Sequence, residues 1–399
     1  MDAHTIRARN DIDLFAKLKR DSFVQQVSRQ LEISQNQESQ SIRRQLLATS
    51  VRLTPTIAPE INKLGFECSK LLGLEIPIEI YTYPSAQFNA ACVKPEDGRL
   101  FIMFSSSLLE AFEESELRFV MGHELGHHLY GHHDIPISFL LNGSQKPPPE
   151  LTLELFAWSR YAEISADRAG AHCAQDLEAV ARSLFKLASG LAGNLIRFNL
   201  DEFISQVDDM QSEVTKPGQS APIEDWFSTH PFSPLRVRAL QLYHESRLTT
   251  DDGMSLDLLE SEVHKLMNLM EPSYLESQTT AAEMMRRLLF SGTIAVATVS
   301  DGISQAEIEM FEKFFGEGSF TDTLDTDLIK DRLDQQIVST VYETSRAQCS
   351  QVIRDLCLVA RADGYATPDE VALLKNIAKR INVRPSFVDR CLEAVTELD

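Results

Sequence analysis

The sequence predicts a predominantly α-helical α+β fold, in which a core with a small β-sheet is followed by an all-α C-terminal domain. Apolar residues recur every four positions over residues 115–130, as in a helix, and a hairpin pattern precedes them at 76–104. The last third of the chain repeats an apolar helix, an Asp-Gly turn and a helix-capping box. A chain of 399 residues exceeds one ordinary core, which indicates two or three domains.

The N-terminal segment, residues 1–50, is polar and predicted to be helical, with a break rich in Gln and Ser at 34–41. Its apolar positions include Leu14, Leu18 and Val24. We expect this segment to brace the domain that follows or to contact a partner. No apolar stretch follows a basic start in it, so we expect no export signal.

A β-hairpin is predicted next, and its first strand is a candidate for binding substrate. Residues 87–93 lead through an Asp-Gly turn at 97–98 into an apolar run at 100–104. We expect the first strand to form the edge of the sheet. A peptide would then add as a further strand through main-chain hydrogen bonds to Asn89, Ala90 and Ala91. The alternative is a strand that only covers the core.

The helix predicted at 115–130 carries the most specific motif of the chain, His-Glu-x-x-His at His123, Glu124 and His127. Histidines four residues apart project from one helix face, so both imidazoles reach one metal ion while the carboxylate meets its water. Gly131 is placed to end the helix. The spacing is that of a zinc hydrolase.

A catalytic zinc site needs a third protein ligand, for which the chain offers two candidates. His133 lies where the metzincin pattern has its last histidine, but the glycine of that pattern is displaced, since position 130 is Tyr. His132 and His133 are interpreted instead as imidazoles near the negatively polarised end of the helix. The other candidate is a second helix with Glu163 and Asp167 on one face. One carboxylate can bind zinc while the other accepts the second ring N–H of a ligating histidine.

In the order of its motifs the chain resembles the gluzincin metallopeptidases of the HtpX and CAAX prenyl endopeptidase family, over about residues 76–242. The resemblance is carried by Phe88-Asn89-Ala90, Gly122-His123-Glu124-Leu125-Gly126-His127, Glu163-Ile164-Ser165-Ala166-Asp167 and Ser228-Thr229-His230-Pro231. It implies a gluzincin-type core, protein or peptide substrates and one Zn2+ per chain. The zinc ligands that it implies are His123, His127 and Glu163, with Glu124 as the general base.

Three further residues are given supporting roles by the same resemblance. Asp167 would hold a ligating histidine, and His230 and Arg236 would support the site. His230 is a candidate donor to the oxyanion that develops when a carbonyl is attacked. The alternative for His230 is a plain loop that enters a helix near Pro234.

Cys92 lies in the predicted edge strand. It is interpreted as a small buried residue, with a thiolate that blocks the metal as the alternative.

Charge and composition narrow the partners and the compartment. The chain has 59 acidic and 38 basic residues, a net charge of −21, so a non-specific nucleic-acid or anionic-membrane partner is excluded. No apolar run is long enough to span a bilayer, although many members of the resembled family are membrane-embedded. Six cysteines without CxxC spacing are typical of a reducing compartment, and we expect a soluble, cytoplasmic protein.

The predicted domains are an N-terminal helical segment at 1–50, a zinc metallopeptidase domain at 51–248, a connection at 249–278 and a helical domain at 279–399. A surface loop at 211–225 is a candidate lid. The two Asp-Gly turns of the last domain resemble those of TerB (tellurite-resistance) domains. We expect this domain to regulate the enzyme or to recruit substrate, and it is the candidate site for a protein partner.

The sequence therefore predicts a zinc-dependent endopeptidase. A catalytically silent zinc-containing adaptor is one alternative, although a structural site has no need of Glu124. A metal-dependent hydrolase of a non-peptide bond is the other, and the predicted edge strand argues against it.

Overall fold

The structure, a computed structural model, describes residues 3–37, 41–143, 146–193, 196–214, 228–270, 280–299, 303–315, 319–320, 326–344 and 346–394. The chain divides into two compact units. The first comprises Met1–Ser212 and Glu224–Met270, and the second comprises Glu213–Ile223 and Glu271–Asp399. The loop predicted at 211–225 lies, from residue 215 onward, outside the described residues. Among the described residues, no helix combines the length and the apolar character needed to cross a membrane.

Helices make up most of the first unit. The helices up to and including the one that carries the His-Glu-x-x-His motif are α1 (Arg9–Leu18), α2 (Ser22–Gln37), α3 (Ile42–Thr49), α4 (Pro59–Leu71), α5 (Ser106–Ala111) and α6 (Glu114–Leu129). They are followed by α7 (Ile137–Asn142), α8 (Pro149–Ala174), α9 (Leu177–Ser189), α10 (Leu200–Val214), α11 (Ser233–His244) and α12 (Leu256–Met267). Short 3-10 helices lie at Ala3–Ile6, His132–Asp134 and Asn268–Met270.

A four-stranded sheet with the order β1-β2-β4-β3 accompanies these helices. Its strands are β1 (Val51–Arg52), β2 (Ile78–Tyr83), β3 (Ala90–Glu96) and β4 (Arg99–Ser105). β2 and β4 run parallel, whereas β3 and β4 form the predicted antiparallel hairpin, which is confirmed. Asp97 and Gly98 in its turn have φ of 51° and 69°, the left-handed values of a type I′ turn. The fold is α+β and predominantly α, as predicted, and β3 is an edge strand.

The helix predicted at 115–130 is observed as α6, Glu114–Leu129. It begins with a reciprocal capping box between Glu113 and Glu116, which satisfies backbone N–H groups of the first turn. It ends before Gly131, whose φ of 70° suits glycine at a helix end. The apolar stripe of α6 packs into the main core of the first unit.

α6 and α8 pack closely through small residues. A Cβ added at Gly122 or Gly126 of α6 would come within 2.8 Å of a side chain of α8. A Cβ added at Gly170 of α8 would lie 2.6 Å from the backbone oxygen of Phe119. Because no side chain separates the two helices along this line, polar side chains elsewhere on them can meet directly.

The N-terminal segment, which belongs to the first unit, packs on the rest of that unit through α1 and α3. Leu18 at the end of α1 lies in an apolar cluster with Trp158 of α8. At the start of α3, the Glu96 carboxylate accepts hydrogen bonds from the backbone N–H groups of Ile42 and Arg43. α1 and α3 are therefore fixed to the elements that carry the motifs.

The first unit extends past the boundary predicted at residue 248. Leu259, Val263 and Met267 of α12 are buried in its apolar core. The division therefore falls at Met270, because this amphipathic helix needs the core of the first unit to cover its apolar face. The rest of the connection predicted at 249–278 lies outside the described residues.

The second unit is helical in its described residues: α13 (Thr280–Ala297), α14 (Gln305–Phe315), α15 (Thr326–Glu343), α16 (Arg346–Ala360), α17 (Pro368–Arg380) and α18 (Ser386–Ala394). Both predicted capping boxes are present, one between Ser304 and Glu307 and the other between Thr367 and Glu370. The first Asp-Gly pair, at 301–302, lies outside the described residues. The TerB-like character of this unit stays a prediction.

Candidate metal centre

α6 and α8 bring two imidazoles and one carboxylate together. The Nε2 atoms of His123 and His127 are 3.1 Å apart. Glu163 Oε2 lies 3.5 Å from Nε2 of His123, and Glu163 Oε1 lies 3.4 Å from Nε2 of His127. In the part of the chain that the structure describes, these three residues form the one group of potential ligands compact enough for a metal ion, with all atoms within 4.8 Å.

The chemistry of this group fits a zinc ion. Two neutral imidazoles whose nitrogen lone pairs point at each other across 3.1 Å repel, unless a proton or a cation lies between them. Among the described residues, none donates a hydrogen bond to the buried Oε2 atom of Glu163, although the Arg236 guanidinium lies 3.2 Å away. Two histidines and one glutamate are a donor set of catalytic zinc sites, which leave one position to water.

His123 is held from behind by a carboxylate. Its Nδ1 lies 2.9 Å from Oδ1 of Asp167, which is fully buried. Arg236 donates two hydrogen bonds to Asp167, of 2.8 and 2.6 Å. Burial disfavours the charge on Asp167, but Arg236 and His123 outweigh it and keep the pKa of this carboxyl below its usual range. A carboxylate only accepts, so the proton of His123 is on Nδ1 and its Nε2 is free for a metal.

His127 is held from behind by another imidazole. Its Nδ1 lies 2.9 Å from Nδ1 of His132, and the Nε2 of His132 lies 3.0 Å from Oδ2 of Asp11. Sequence reasoning placed His132 at the helix end for its charge alone and gave Asp11 no role. Burial lowers the pKa of His132 and so favours its neutral form. A second histidine soon after the motif was a signal for His132, but nothing in the sequence pointed to Asp11.

Glu163 is a charged ligand candidate in a buried position. Burial alone would raise its pKa, but the neighbouring His230, His127 and Arg236 hold the pKa well below its usual range. Glu163 is therefore a carboxylate at neutral pH. Such a group needs a cationic partner on its remaining lone pairs.

Glu124 lies on the side of the site that faces the sheet. Its Oε2 accepts a hydrogen bond of 2.8 Å from the backbone N–H of Cys92 in β3. Burial and the charge of Glu124 raise the pKa of the Cys92 thiol well above its usual value. The Cys92 side chain is buried. These observations favour Cys92 as a small buried residue over a thiolate ligand.

The edge strand β3 presents alternate backbone groups to its free side. The N–H of Cys92 points away from β4, towards Glu124, whereas the carbonyl of Asn89 accepts from the β4 residue Ser105. Since backbone direction alternates along a strand, Ala90 faces the free edge and Ala91 faces β4. The side chain of Asn89 donates to the Tyr83 hydroxyl. The candidate substrate strand therefore lies beside Glu124, with part of its backbone open.

The predicted loop at His230 reaches the same site. His230 is 63% exposed, and its Nε2 lies 3.4 Å from Oε1 of Glu163. Thr229 Oγ1 lies 2.9 Å from the other ring nitrogen of His230. Pro234 lies in the first turn of α11. The loop therefore also leads into a helix, which is what the alternative interpretation of His230 expected. Arg236 is buried and contacts Asp167, so it acts within the protein rather than at the surface.

A cleft of about 710 Å³ opens at these residues. His127 and Glu163 lie in its wall together with His230. Arg29 and Glu32 of α2 and Phe139 of α7 also line it. The N-terminal segment therefore forms part of the wall of this cleft.

Comparison with known proteins matches the same part of the chain to a peptidase family. Residues 58–145 and 150–244 match the family model of Peptidase family M48. The "Plastoglobule-localized metallopeptidase 48, chloroplastic" of Arabidopsis thaliana is 28% identical over 217 residues, which are 50% of this chain and 61% of that protein. A "Protease HtpX homolog" of Ralstonia nicotianae is 27% identical over 221 residues, 47% of this chain and 75% of that protein. No solved structure matches significantly.

The matched segment contains every residue that the sequence analysis assigned to the site. α1, α2 and residues 271–399 lie outside it. Its identity to the two relatives is low, but the geometry of its two motif helices agrees with a metallopeptidase. The segment between residues 58 and 244 is therefore similar to Peptidase family M48.

Proposed function

We propose that this protein is a zinc-dependent endopeptidase that hydrolyses peptide bonds of protein substrates, with Glu124 as the general base. The observation that carries the proposal is the group of His123, His127 and Glu163, with all its ligand atoms within 4.8 Å, next to Glu124. The match of this segment to Peptidase family M48 supports it. One Zn2+ per chain is the proposed cofactor.

The roles of the residues follow from their contacts. When bound, zinc lowers the pKa of a water molecule and polarises the substrate carbonyl. The Cys92 N–H holds Oε2 of Glu124 at 2.8 Å, which leaves Oε1 to take the proton of the attacking water. Glu124 then gives that proton to the leaving amine. His230, exposed beside Glu163, is the proposed donor to the oxyanion, while Arg236 holds Asp167.

The peptide substrate is proposed to add to the free edge of β3, at Asn89, Ala90 and Ala91. The backbone of Ala90 faces that edge, and the carbonyl of Cys92 faces it too. Asn89 and Ala91 turn their backbone groups to β4 and would contact the substrate through their side chains. Main-chain pairing of this kind accepts many sequences, which suits a protease of unfolded segments.

The second unit is proposed to be a TerB-like domain that recruits substrate or a protein partner. Its paired capping boxes at Ser304 and Thr367 support an internal repeat of helices. The six free cysteines support a reducing compartment, and we propose the cytoplasm. One relative is named as chloroplastic, so this proposal depends on the cysteines alone.

The variant Glu124→Gln tests the proposed function. It should keep zinc and the fold, because Gln has the same shape and still accepts the Cys92 N–H. Peptide cleavage should fall by at least about 100-fold, since the general base is lost. Zinc content and a proteome-wide cleavage profile of both proteins provide the measurement. Undiminished cleavage by the variant would remove Glu124 from the mechanism, and a wild type that binds zinc but cuts nothing would favour an adaptor.

A scan with N-methylated peptides tests the substrate strand. Every second residue of an added strand turns its N–H towards β3, so N-methylation at alternate positions around the cleaved bond should raise KM. Methylation at the intervening positions should leave KM unchanged and serves as the matched control. A KM without this alternation would contradict strand addition. The scan leaves the β3–β4 hairpin intact, whereas proline at Ala91 would break its pairing.

A further inference from the structure

The N-terminal helix α1 is linked to the proposed metal centre through its own Asp11 and through His132, which follows α6. Asp11 Oδ2 lies 3.0 Å from Nε2 of His132, and Nδ1 of His132 lies 2.9 Å from Nδ1 of His127. Asp11 and His132 are both buried. Asp11 lies outside the segment that matches Peptidase family M48. The contact therefore ties a part of the chain without a known role to a ligand of the proposed zinc site.

Asp11 is built into the protein as a fixed acceptor. Trp158 Nε1 and Ser165 Oγ of α8 donate to it at 3.0 and 2.7 Å. Arg7 donates two further hydrogen bonds, of 2.8 and 3.0 Å. With three kinds of donor around it, the carboxylate has only acceptor sites to offer to His132.

The hydrogen-bond acceptor at Asp11 determines which ring nitrogen carries the proton in His132 and, through it, in His127. His132 must place its proton on Nε2 to donate to Asp11, so Nδ1 of a neutral His132 carries a lone pair. That lone pair accepts the Nδ1 proton of His127. Nε2 of His127 is then left unprotonated, and this is the atom that faces His123 and Glu163.

We propose that Asp11 and His132 are positioning residues that select the metal-binding tautomer of His127 and hold its ring. The same task is performed for His123 by Asp167 and Arg236. The inference rests on the proposed zinc site but not on peptidase activity. A purely structural reading, in which Asp11 only anchors α1, predicts a change in stability without a change in zinc affinity.

The first test compares Asp11→Asn with Asp13→Asn. Asp13 lies on the same helix but is exposed, so it is the matched control. Zinc affinity is measured by competition with a chromophoric chelator, without substrate. Because Asn lacks the negative charge and turns one of the two acceptor oxygens into a donor, zinc binding by Asp11→Asn should weaken on the order of 10-fold, while the control stays at the wild-type value. Equal affinities for Asp11→Asn and wild type would overturn the proposal.

The second test changes His132 and guards against a folding defect. In His132→Asn the side-chain oxygen falls near the former Nδ1 and can still accept from His127, whereas His132→Leu offers no acceptor. The Leu variant should lose zinc affinity by about 10- to 100-fold, and the Asn variant should restore most of it. Adding Asp11→Asn to His132→Asn should have no further effect on affinity. Equal zinc affinity in the Leu and Asn variants, with both well folded by circular dichroism, would contradict the relay.

The tautomer itself gives a readout that a merely structural role would not change. In metal-free protein labelled with 15N-histidine, long-range proton–nitrogen spectra should show His127 protonated at Nδ1 in the wild type and as a mixture of tautomers in His132→Leu. A mixture in the wild type would overturn the proposal. Since these measurements need no substrate, a protein that binds zinc through this relay but cuts no peptide would refute only the proposed function.

Discussion

The two histidines of α6 are supported on opposite sides of the metal centre by different means. His123 contacts a carboxylate directly, and that carboxylate is clamped by Arg236. His127 contacts a second imidazole, which in turn contacts Asp11. Both arrangements end at a buried acid beside an arginine. The requirement, an acceptor behind each ring, is the same, but one support spans a single hydrogen bond and the other spans two.

The two supports also differ in where their residues lie along the chain. Asp167 and Arg236 both belong to the segment matched to Peptidase family M48, whereas Asp11 does not. The direct support crosses the close interface of α6 and α8. The longer one stays beside α6 at the 3-10 helix and then joins α1. The proposed metal site thus combines residues inside the matched segment with a residue of a flanking helix outside it.

The largest effect is expected when the direct support is broken. Asp167→Asn removes the charge that fixes His123 and leaves Glu163, 3.2 Å away, as the remaining carboxylate beside the buried Arg236. Zinc affinity should fall by about 100-fold, and the melting temperature should drop because breaking a buried ion pair costs up to about 3–5 kcal/mol. Chelator competition and thermal unfolding measure the two effects. A smaller loss of affinity than in Asp11→Asn would reverse the proposed ranking of the supports.

An intermediate effect is expected from widening the α6–α8 interface. In Gly170→Ala the new Cβ would meet the Phe119 carbonyl at 2.6 Å, so α8 must shift, at a cost of about 1–3 kcal/mol. The shift moves both Glu163 and Asp167, so zinc affinity should fall with stability. Gly193→Ala, which has open space around it, is the control and should behave as wild type. Wild-type zinc affinity in Gly170→Ala would mean that the direct support tolerates this displacement.

The smallest effect is expected at the outer end of the longer support. Trp158→Phe removes one of the donors to Asp11 but leaves Ser165 and Arg7 in place. The free energy of unfolding should fall by about 1 kcal/mol, since one hydrogen bond to a buried acceptor is lost. Zinc affinity should change little, because Asp11 still accepts from His132. Equilibrium denaturation measures the free energy of unfolding, and chelator competition measures the zinc affinity. A large loss of zinc affinity would show that Asp11 depends on Trp158 for its position.

Several elements of the site could be predicted because their signals are local. The four-residue period of the apolar positions predicted α6 to within one residue at each end. The Asp-Gly pair predicted the turn between β3 and β4, because few other residues adopt two successive positive φ values. Glu163 and Asp167 were recognised as a pair because a helix places residues four apart on one face.

Other features could not be read from the sequence because they depend on contacts between distant residues. His132 meets an acid 121 positions away, and no spacing rule connects them. The glycines of α6 were included in a motif, but their role in bringing α8 close needs the facing helix. That α12 belongs to the core of the first unit could not be read from the sequence either, because only packing shows which core covers its apolar face.

The sequence by itself determined the chemical inventory of the site and its local geometry: two histidines and a glutamate on one helix, two acids on another, and a hairpin before them. Spacing along a regular element is a local property, so it can be read directly. The tertiary structure decided which nitrogen of each histidine is held, and by which acid. That decision depends on hydrogen bonds between elements far apart in the chain, of which the bond from His132 to Asp11 is the clearest case.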